Sequence, residues 1–281
     1  MNERPGADES ISSPSLWHVW YREYETRWNA KVQPILDRFP ERADVIREHL
    51  KPTLVPLPAA VERLQVASED DVQWLIGALR DGRRKWFVAD IVARVTSLPH
   101  ALFEPLLRAS VEELSPSFNR RFVEPCMRAF GPRRVNEYLL AVLESGDDFH
   151  KAGAVNALYW AEARVSYRLT YPVTAPLRSE DADQDSLAAY EALRDLWERK
   201  RKLFLETFVA NPNLDVRRNV IASLELDESA YPETHKHLVS RAIQIAREHP
   251  DEYIQHRVEI QLGEVKGALP LPPREPNRRS N

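Results

Sequence analysis

VRRNVIASLEL (216–226) is an amphipathic run ending near Leu224, and four other stretches of the chain can be laid over it. KWFVADIVARV (85–95), RRFVEPCMRAF (120–130), HKAGAVNALYW (150–160) and YIQHRVEIQLGE (253–264) share apolar positions that end on Val95, Phe130, Leu158 and Leu262. Successive anchors are 35, 28, 66 and 38 residues apart. Recurrence at such intervals marks stacked helical hairpins, because one hairpin cannot bury both of its apolar faces and needs neighbours to do so.

Prolines punctuate the same region. Pro99, Pro116 and Pro132, then Pro212, Pro232 and Pro250, fall about 16 to 20 residues apart. Proline suits the first turn of a helix, where its missing N–H has no intrahelical partner, so the series predicts successive helix starts. The chain has only 8 Gly against 21 Pro, and β-branched alternation is scarce, which disfavours hairpin turns and sheets. The expected class is all-α.

The 281 residues, 43% hydrophobic and 29% charged, suffice for one elongated array or two compact domains. The single cysteine, Cys126, cannot form an intramolecular disulfide. MNERPGADESISSPS (1–15) has no apolar core like that of a signal peptide, and no run of 18 apolar residues occurs, so the expectation is a cytoplasmic protein without a membrane partner. A net charge of −4 argues against sequence-independent nucleic-acid binding, which needs many neutralised phosphates. The charge is unevenly spread: Arg83 to Arg134 carries ten basic and five acidic residues, whereas Ile221 to Glu264 carries four and nine.

Along the chain, residues 1–14 and the proline-rich basic stretch 265–281 read as tails. Residues 15–67 form an N-terminal helical cap region, in which Trp17, Trp20, Tyr21, Tyr24 and Trp28 share one helix face. That face either seals one end of the array or is an exposed docking surface. Prolines 34, 40, 52, 56 and 58 limit the next helices to short ones around Glu41 to Leu50 and Ala59 to Val66. Ser68-Glu69-Asp70-Asp71 is a helix start, with acids in the first turn. The repeat array is expected over 68–264, with an inserted loop near 166–185 followed by one long helix from Ser186 to Val209. Tyr190, Leu193, Trp197, Phe204 and Phe208 mark its buried stripe.

Asn213 to Leu224, NLDVRRNVIASL, resembles the second-helix signature of HEAT repeats, with its Asp, Val-Arg pair and spaced small apolar residues. DDVQWLIGALRD (70–81) is similar to the first helix of short bacterial HEAT-like repeats, and Ala101 to Leu107 resembles a first helix with an internal proline. The resemblance implies an α-α superhelix, a HEAT-like α-solenoid, that serves as a non-enzymatic scaffold for a protein partner. It also implies an Asp–Arg ladder between repeats, carried here by Asp215 and Arg217. A nucleic-acid-binding relative of the HEAT-like DNA glycosylases is the alternative, with Trp86 and Asp90 as its loosely comparable pair, and a HEAT-like lyase acting on a bilin is a more distant one.

No residue set specifies a reaction. His235 and His237 point about 200° apart on a helix and cannot share one ion. Cys126 lies on an apolar-periodic helix without an activating motif. The acid clusters Glu112-Glu113, Asp147-Asp148 and Glu180 to Asp185 suit loops and caps, and no phosphate loop or nucleophile elbow occurs. No metal or cofactor is therefore expected. The candidate protein-binding residues lie on the second helices: Trp86, Asp90 and Arg94 at four-residue spacing, Arg121 and Arg128, then Asn156 and Trp160. Trp and Arg are frequent interface anchors because they combine large area with directional polar contacts. The basic pairs Arg83-Arg84, Arg120-Arg121, Arg133-Arg134 and Arg217-Arg218 are expected near helix starts along one edge, whereas Arg199 to Lys202 reads as a solvated face.

Overall fold

A computed structural model describes residues 15–49, 57–163, 165–167 and 181–264. Both tails, and residues 168–180 of the insertion, lie outside the described residues. The described residues form fourteen α-helices joined by turns, with no strand beyond an isolated antiparallel bridge between Tyr167 and Ala182. None of these helices is long and apolar enough to cross a membrane. The chain divides into two compact units, Met1–Pro105 and Leu106–Asn281.

The first unit contains α1 (Leu16–Arg38), α2 (Ala43–His49), α3 (Pro58–Gln65), α4 (Glu69–Leu79) and α5 (Arg84–Val92). Ser68 starts α4 with a reciprocal capping box: the Asp71 N–H donates to its hydroxyl and its own N–H donates to the Asp71 carboxylate. Helix α5 is buried on every side from Trp86 to Val92 and is packed by α1, α3 and α4. An apolar sequence without a polar stripe requires such a central position.

The second unit continues from α6 (Phe103–Val111), within which the boundary falls, through α7 (Arg120–Phe130), α8 (Pro132–Ser145), α9 (Asp148–Trp160), α10 (Gln184–Glu191), α11 (Arg194–Ala210), α12 (Leu214–Ile221), α13 (Glu233–Arg247) and α14 (Glu252–Gln261). Helix α9 packs on α7 and α12, and α12 packs on α14; α11 packs on both α8 and α13. Cross-contacts α8–α9, α11–α12 and α13–α14 join these two sets into hairpin-like pairs. The five superposed segments coincide with α5, α7, α9, α12 and α14. Val95, Leu158 and Leu224 are buried, while Phe130 and Leu262 are half-buried.

The prolines do their expected work in several forms. Pro132 is the first residue of α8, Pro232 caps α13, and Pro212 and Pro250 precede the capping residues Asn213 and Asp251. Pro105 lies in the first turn of α6, not deep within a helix, because a 3-10 turn over His100–Leu102 takes up the preceding residues.

Two expectations are corrected. The long helix from Ser186 to Val209 is broken at Ala192 and Leu193 into α10 and α11. Arg133 of α8 braces the break: its guanidinium donates to the Ala192 carbonyl at 2.6 Å and forks onto the Asp195 carboxylate with two bonds of 2.8 Å. The Ala192 carbonyl and the first turn of α11 are thereby held by a neighbouring helix. The basic run of α11 is not a freely solvated face either. Arg199 pairs with Glu144 (2.7 Å), Lys200 pairs with Glu162 (2.5 Å), and Arg201 donates to the Ala230 carbonyl (2.8 Å).

Gly153 marks a close backbone approach in the second unit. A Cβ at this position would sit 1.9 Å from the carbonyl oxygen of Val111, a backbone atom that no rotamer change can move. Gly77, inside α4, has nothing within 4 Å of its own Cβ position. Gly153→Ala is expected to destabilise the second unit by several kcal/mol, whereas Gly77→Ala is expected to stabilise by about 0.5 to 1 kcal/mol through helix propensity. Chemical denaturation of both variants checks the pair; a neutral Gly153→Ala would mean that α6 and α9 are not in van der Waals contact.

Candidate functional site

Helix α7 is strongly two-sided. Phe122, Val123, Pro125 and Cys126 are buried, while Arg120, Glu124 and Arg128 recur every four residues on the exposed face. Helix α9 buries Ala152 to Val155 with Ala157 and Leu158, and leaves the ring of Tyr159 about half exposed (51%) at its C-terminal end. Because α7 packs on α9, the start of α7 and the end of α9 meet. The Trp160 indole N–H donates to the Pro116 carbonyl at 2.7 Å, the Arg120 guanidinium lies over the Trp160 ring at 5.4 Å, and Tyr159 meets Trp160 edge-on at 4.9 Å. The hydrogen bond fixes the indole plane, and the stacked guanidinium retains in-plane N–H donors suited to a carboxylate.

The electrostatics of this corner differ from those of its neighbours. Asp147, Asn213 and Asp251 cap α9, α12 and α14 by accepting backbone N–H bonds, and Asp148, Asp215 and Glu252 add an acid to each first turn. Helix α7 has no acid in its first turn and no side-chain cap; its first two residues are Arg120 and Arg121. Asn119, at the cap position, is fully buried and neither its Oδ1 nor its Nδ2 has a hydrogen-bond partner. The backbone closes this helix start in place of a side-chain cap: the Arg121 N–H donates to the Phe118 carbonyl, the Phe122 N–H donates to the Asn119 carbonyl, and one turn earlier the buried Glu113 carboxylate accepts the Ser115 N–H. Of the acids next to this corner in sequence, Glu112 pairs with Arg108, Glu162 pairs with Lys200, and Glu113 is buried and accepts the Ser115 N–H.

The sequence-derived set is only partly assembled here. Trp160, Arg121, Arg128 and Asn156 belong to α7 and α9 of the second unit: Arg128 is exposed, and the other three are half-buried. Trp86 and Asp90 are corrected. Both are interior residues of the first unit, 1% and 7% exposed, and Asp90 accepts the Tyr24 hydroxyl at 2.6 Å. They present no surface to a partner or to a nucleobase. Arg94 follows the end of α5 and is exposed.

The Asp215–Arg217 ladder is corrected as well. Arg217 donates to the Phe208 carbonyl (3.3 Å) and lies over the Phe208 ring, and burial lowers its pKa. The ion pair linking α12 to the next helix is instead Arg218–Asp251, at 2.5 Å. One residue of helical register, about 100°, turns Arg217 toward α11 and Arg218 toward α14. His249 nearby is buried; burial first, and then Arg217, hold its pKa below the ordinary histidine value. The basic pairs therefore do not form one continuous edge: Arg133 and Arg218 serve packing, and Arg120 remains at the surface.

Among the described residues no cluster of His, Cys, Asp and Glu is arranged to hold a metal ion. His235 pairs with Glu206 of α11 at 2.9 Å, and burial pushes the Cys126 thiol well above its usual pKa. Compared with known proteins, the chain matches no family model, and no curated protein or solved structure is significantly similar to it.

The aromatic face of α1 is largely spent inside the first unit. Trp17 stacks on Trp74 at 5.7 Å and its indole N–H donates to Asp71 Oδ1 at 2.6 Å; Tyr24 and Tyr21 both contact the Phe87 ring. Trp20, Tyr21 and Trp28 are half-buried. Asp71 is the polar centre of this packing. Its burial alone would raise its pKa, but hydrogen bonds from Ser68, Trp17 and Arg63 outweigh that and lower it from 3.8 to about 2. A carboxyl with a depressed folded-state pKa contributes stability above its unfolded value, and that contribution is lost as pH falls through the folded value. The shift corresponds to about 2 kcal/mol. In denaturation titrations the stability gap between wild type and Asp71→Asn is expected to narrow as pH drops from about 4 to about 2; a gap that stays constant over this range would remove the carboxylate from its role.

Proposed function

We propose that the Leu106–Asn281 unit is a HEAT-like solenoid stack and that the protein is a non-enzymatic scaffold binding a protein partner through the α7–α9 surface. The observation that carries this reading is the Arg120–Trp160–Tyr159 corner, where an indole fixed by its own hydrogen bond supports an exposed guanidinium beside a half-exposed phenol. Such Trp, Tyr and Arg groups are the residues that dominate protein interfaces when desolvated. Support for the repeat architecture comes from recurrence. Asp147, Asn213 and Asp251 each stand eleven residues before the apolar anchors Leu158, Leu224 and Leu262, and the capped helices α9, α12 and α14 pack consecutively. The α8, α11 and α13 helices would then form the outer layer.

A genetically encoded photo-crosslinker tests the functional reading. Placed at Tyr159, it is expected to trap a discrete protein partner in the cells that make this chain; placed at Gln244 on the α13 helix, it is expected to trap none. Equal trapping at both positions, or none at Tyr159, would overturn the assignment of the surface.

A further inference from the structure

The exposed face of α7 carries a charge pattern, not merely a charge. Arg120, Glu124 and Arg128 lie on one side of the helix at four-residue spacing, so about 6 Å separates each sign from the next and about 12 Å spans the triplet. At its N-terminal end the triplet meets the Trp160 ring and the exposed phenol of Tyr159. The first turn of α7 also lacks the acid that α9, α12 and α14 each supply for themselves. A carboxylate brought by a partner would meet the Arg120 guanidinium, which lies over the Trp160 ring with its in-plane donors at the surface.

We propose that this face binds an acidic helical segment of a protein partner, one presenting Glu, Lys and Glu at successive four-residue intervals with an aromatic or aliphatic side chain beside the first Glu. The two glutamates oppose Arg120 and Arg128, the lysine opposes Glu124, and the apolar side chain covers Trp160 and Tyr159. A helix is the matching occupant because its own i, i+4 spacing repeats that of α7. Nucleic acid fits the same surface poorly: a duplex carries one negative charge about every 3.4 Å along each strand and has nothing to offer the glutamate in the centre of the triplet. Of the flanking acids, Glu112 and Glu162 are paired with Arg108 and Lys200, and Glu113 is buried, so none presents a free carboxylate to the occupant's acids.

The inference rests on the protein-binding reading, and a trapped partner lacking such a helix would refute the inference while leaving that reading intact. The direct test measures fluorescence anisotropy with the full chain at 0.15 M salt. The probes are an 18-residue labelled helical peptide with the Glu–Lys–Glu face and a neighbouring Phe, its isomer with every Glu and Lys exchanged, and a 12-nucleotide oligothymidine. The Glu–Lys–Glu peptide is expected to bind, and the isomer and oligothymidine to bind at least about tenfold more weakly. Arg120→Glu should weaken the first peptide about tenfold and strengthen the isomer; Glu124→Lys should remove the preference for peptide over oligothymidine. Circular dichroism confirms that each variant is folded, and the Glu124 change keeps the test decisive if the Arg120 variant is not. Absence of peptide binding, equal binding of the two peptides, or tighter binding of oligothymidine by the unmodified chain would overturn the proposal.

Discussion

Carbonyl groups left over at a helix C-terminus must find donors, and at the ends of α9 and α12 in the second unit donors come from side chains of helices packed against them. Arg257 of α14 donates to the Ala222 carbonyl at 3.0 Å and Gln261 donates to the Ile221 carbonyl at 2.7 Å, so both capture the end of α12. Asn136 of α8 donates to the carbonyl of Ala161, just past α9, at 2.9 Å. Each such bond fixes how far one helix is displaced along another. Apolar contacts alone would tolerate sliding by a turn, because Val, Leu and Ala surfaces present nearly equivalent ridges. The polar links remove that freedom, and the Arg218–Asp251 pair does the same at the opposite end of α14. Gly153 adds a steric limit, since the Val111 carbonyl occupies the space a side chain would need.

The helices were legible because their signals are local. Apolar periodicity marked α5, α7, α9, α12 and α14 within a few residues, and Ser68 announced α4 through a capping box that needs only four residues. The break at Ala192 was not legible, and neither was the bond that Arg133, about sixty residues earlier, makes to its carbonyl. Nor was the role of Arg199, Lys200 and Arg201, whose partners Glu144, Glu162 and Ala230 lie on other elements. One available signal was missed: an Asp or Asn eleven residues before each of Leu158, Leu224 and Leu262, and Asn119 at the same distance before Phe130. It aligns the units more sharply than the prolines, because capping fixes a single residue whereas proline is tolerated at several positions around a helix start.

For the candidate surface the sequence separated poorly between interior and exterior. Trp86 and Asp90 share the spacing of an exposed stripe, yet α5 is surrounded, and the Asp90 carboxylate is stabilised by the Tyr24 hydroxyl. A buried acid beside a buried Trp is indistinguishable, from spacing alone, from an exposed acid beside an exposed Trp. Arg217 and Arg218 posed the same difficulty one residue apart. Both guanidiniums donate hydrogen bonds, but adjacent residues on a helix face different neighbours, and only the packing reveals which one reaches Asp251.

Helix α7 starts differently from α9, α12 and α14. Where Asp147, Asn213 and Asp251 accept the first backbone N–H groups, the helix end is electrostatically complete, and an added anion would gain little there. At α7 the cap position is held by Asn119 with its amide unpartnered, and the following two residues are cations. There the preceding turn does the work of a cap, since the Phe118 and Asn119 carbonyls accept the Arg121 and Phe122 N–H groups. With the backbone closing the helix start, the exposed Arg120, Glu124 and Arg128 side chains are not needed as caps, and on that ground we propose their face as the one an acidic partner would use.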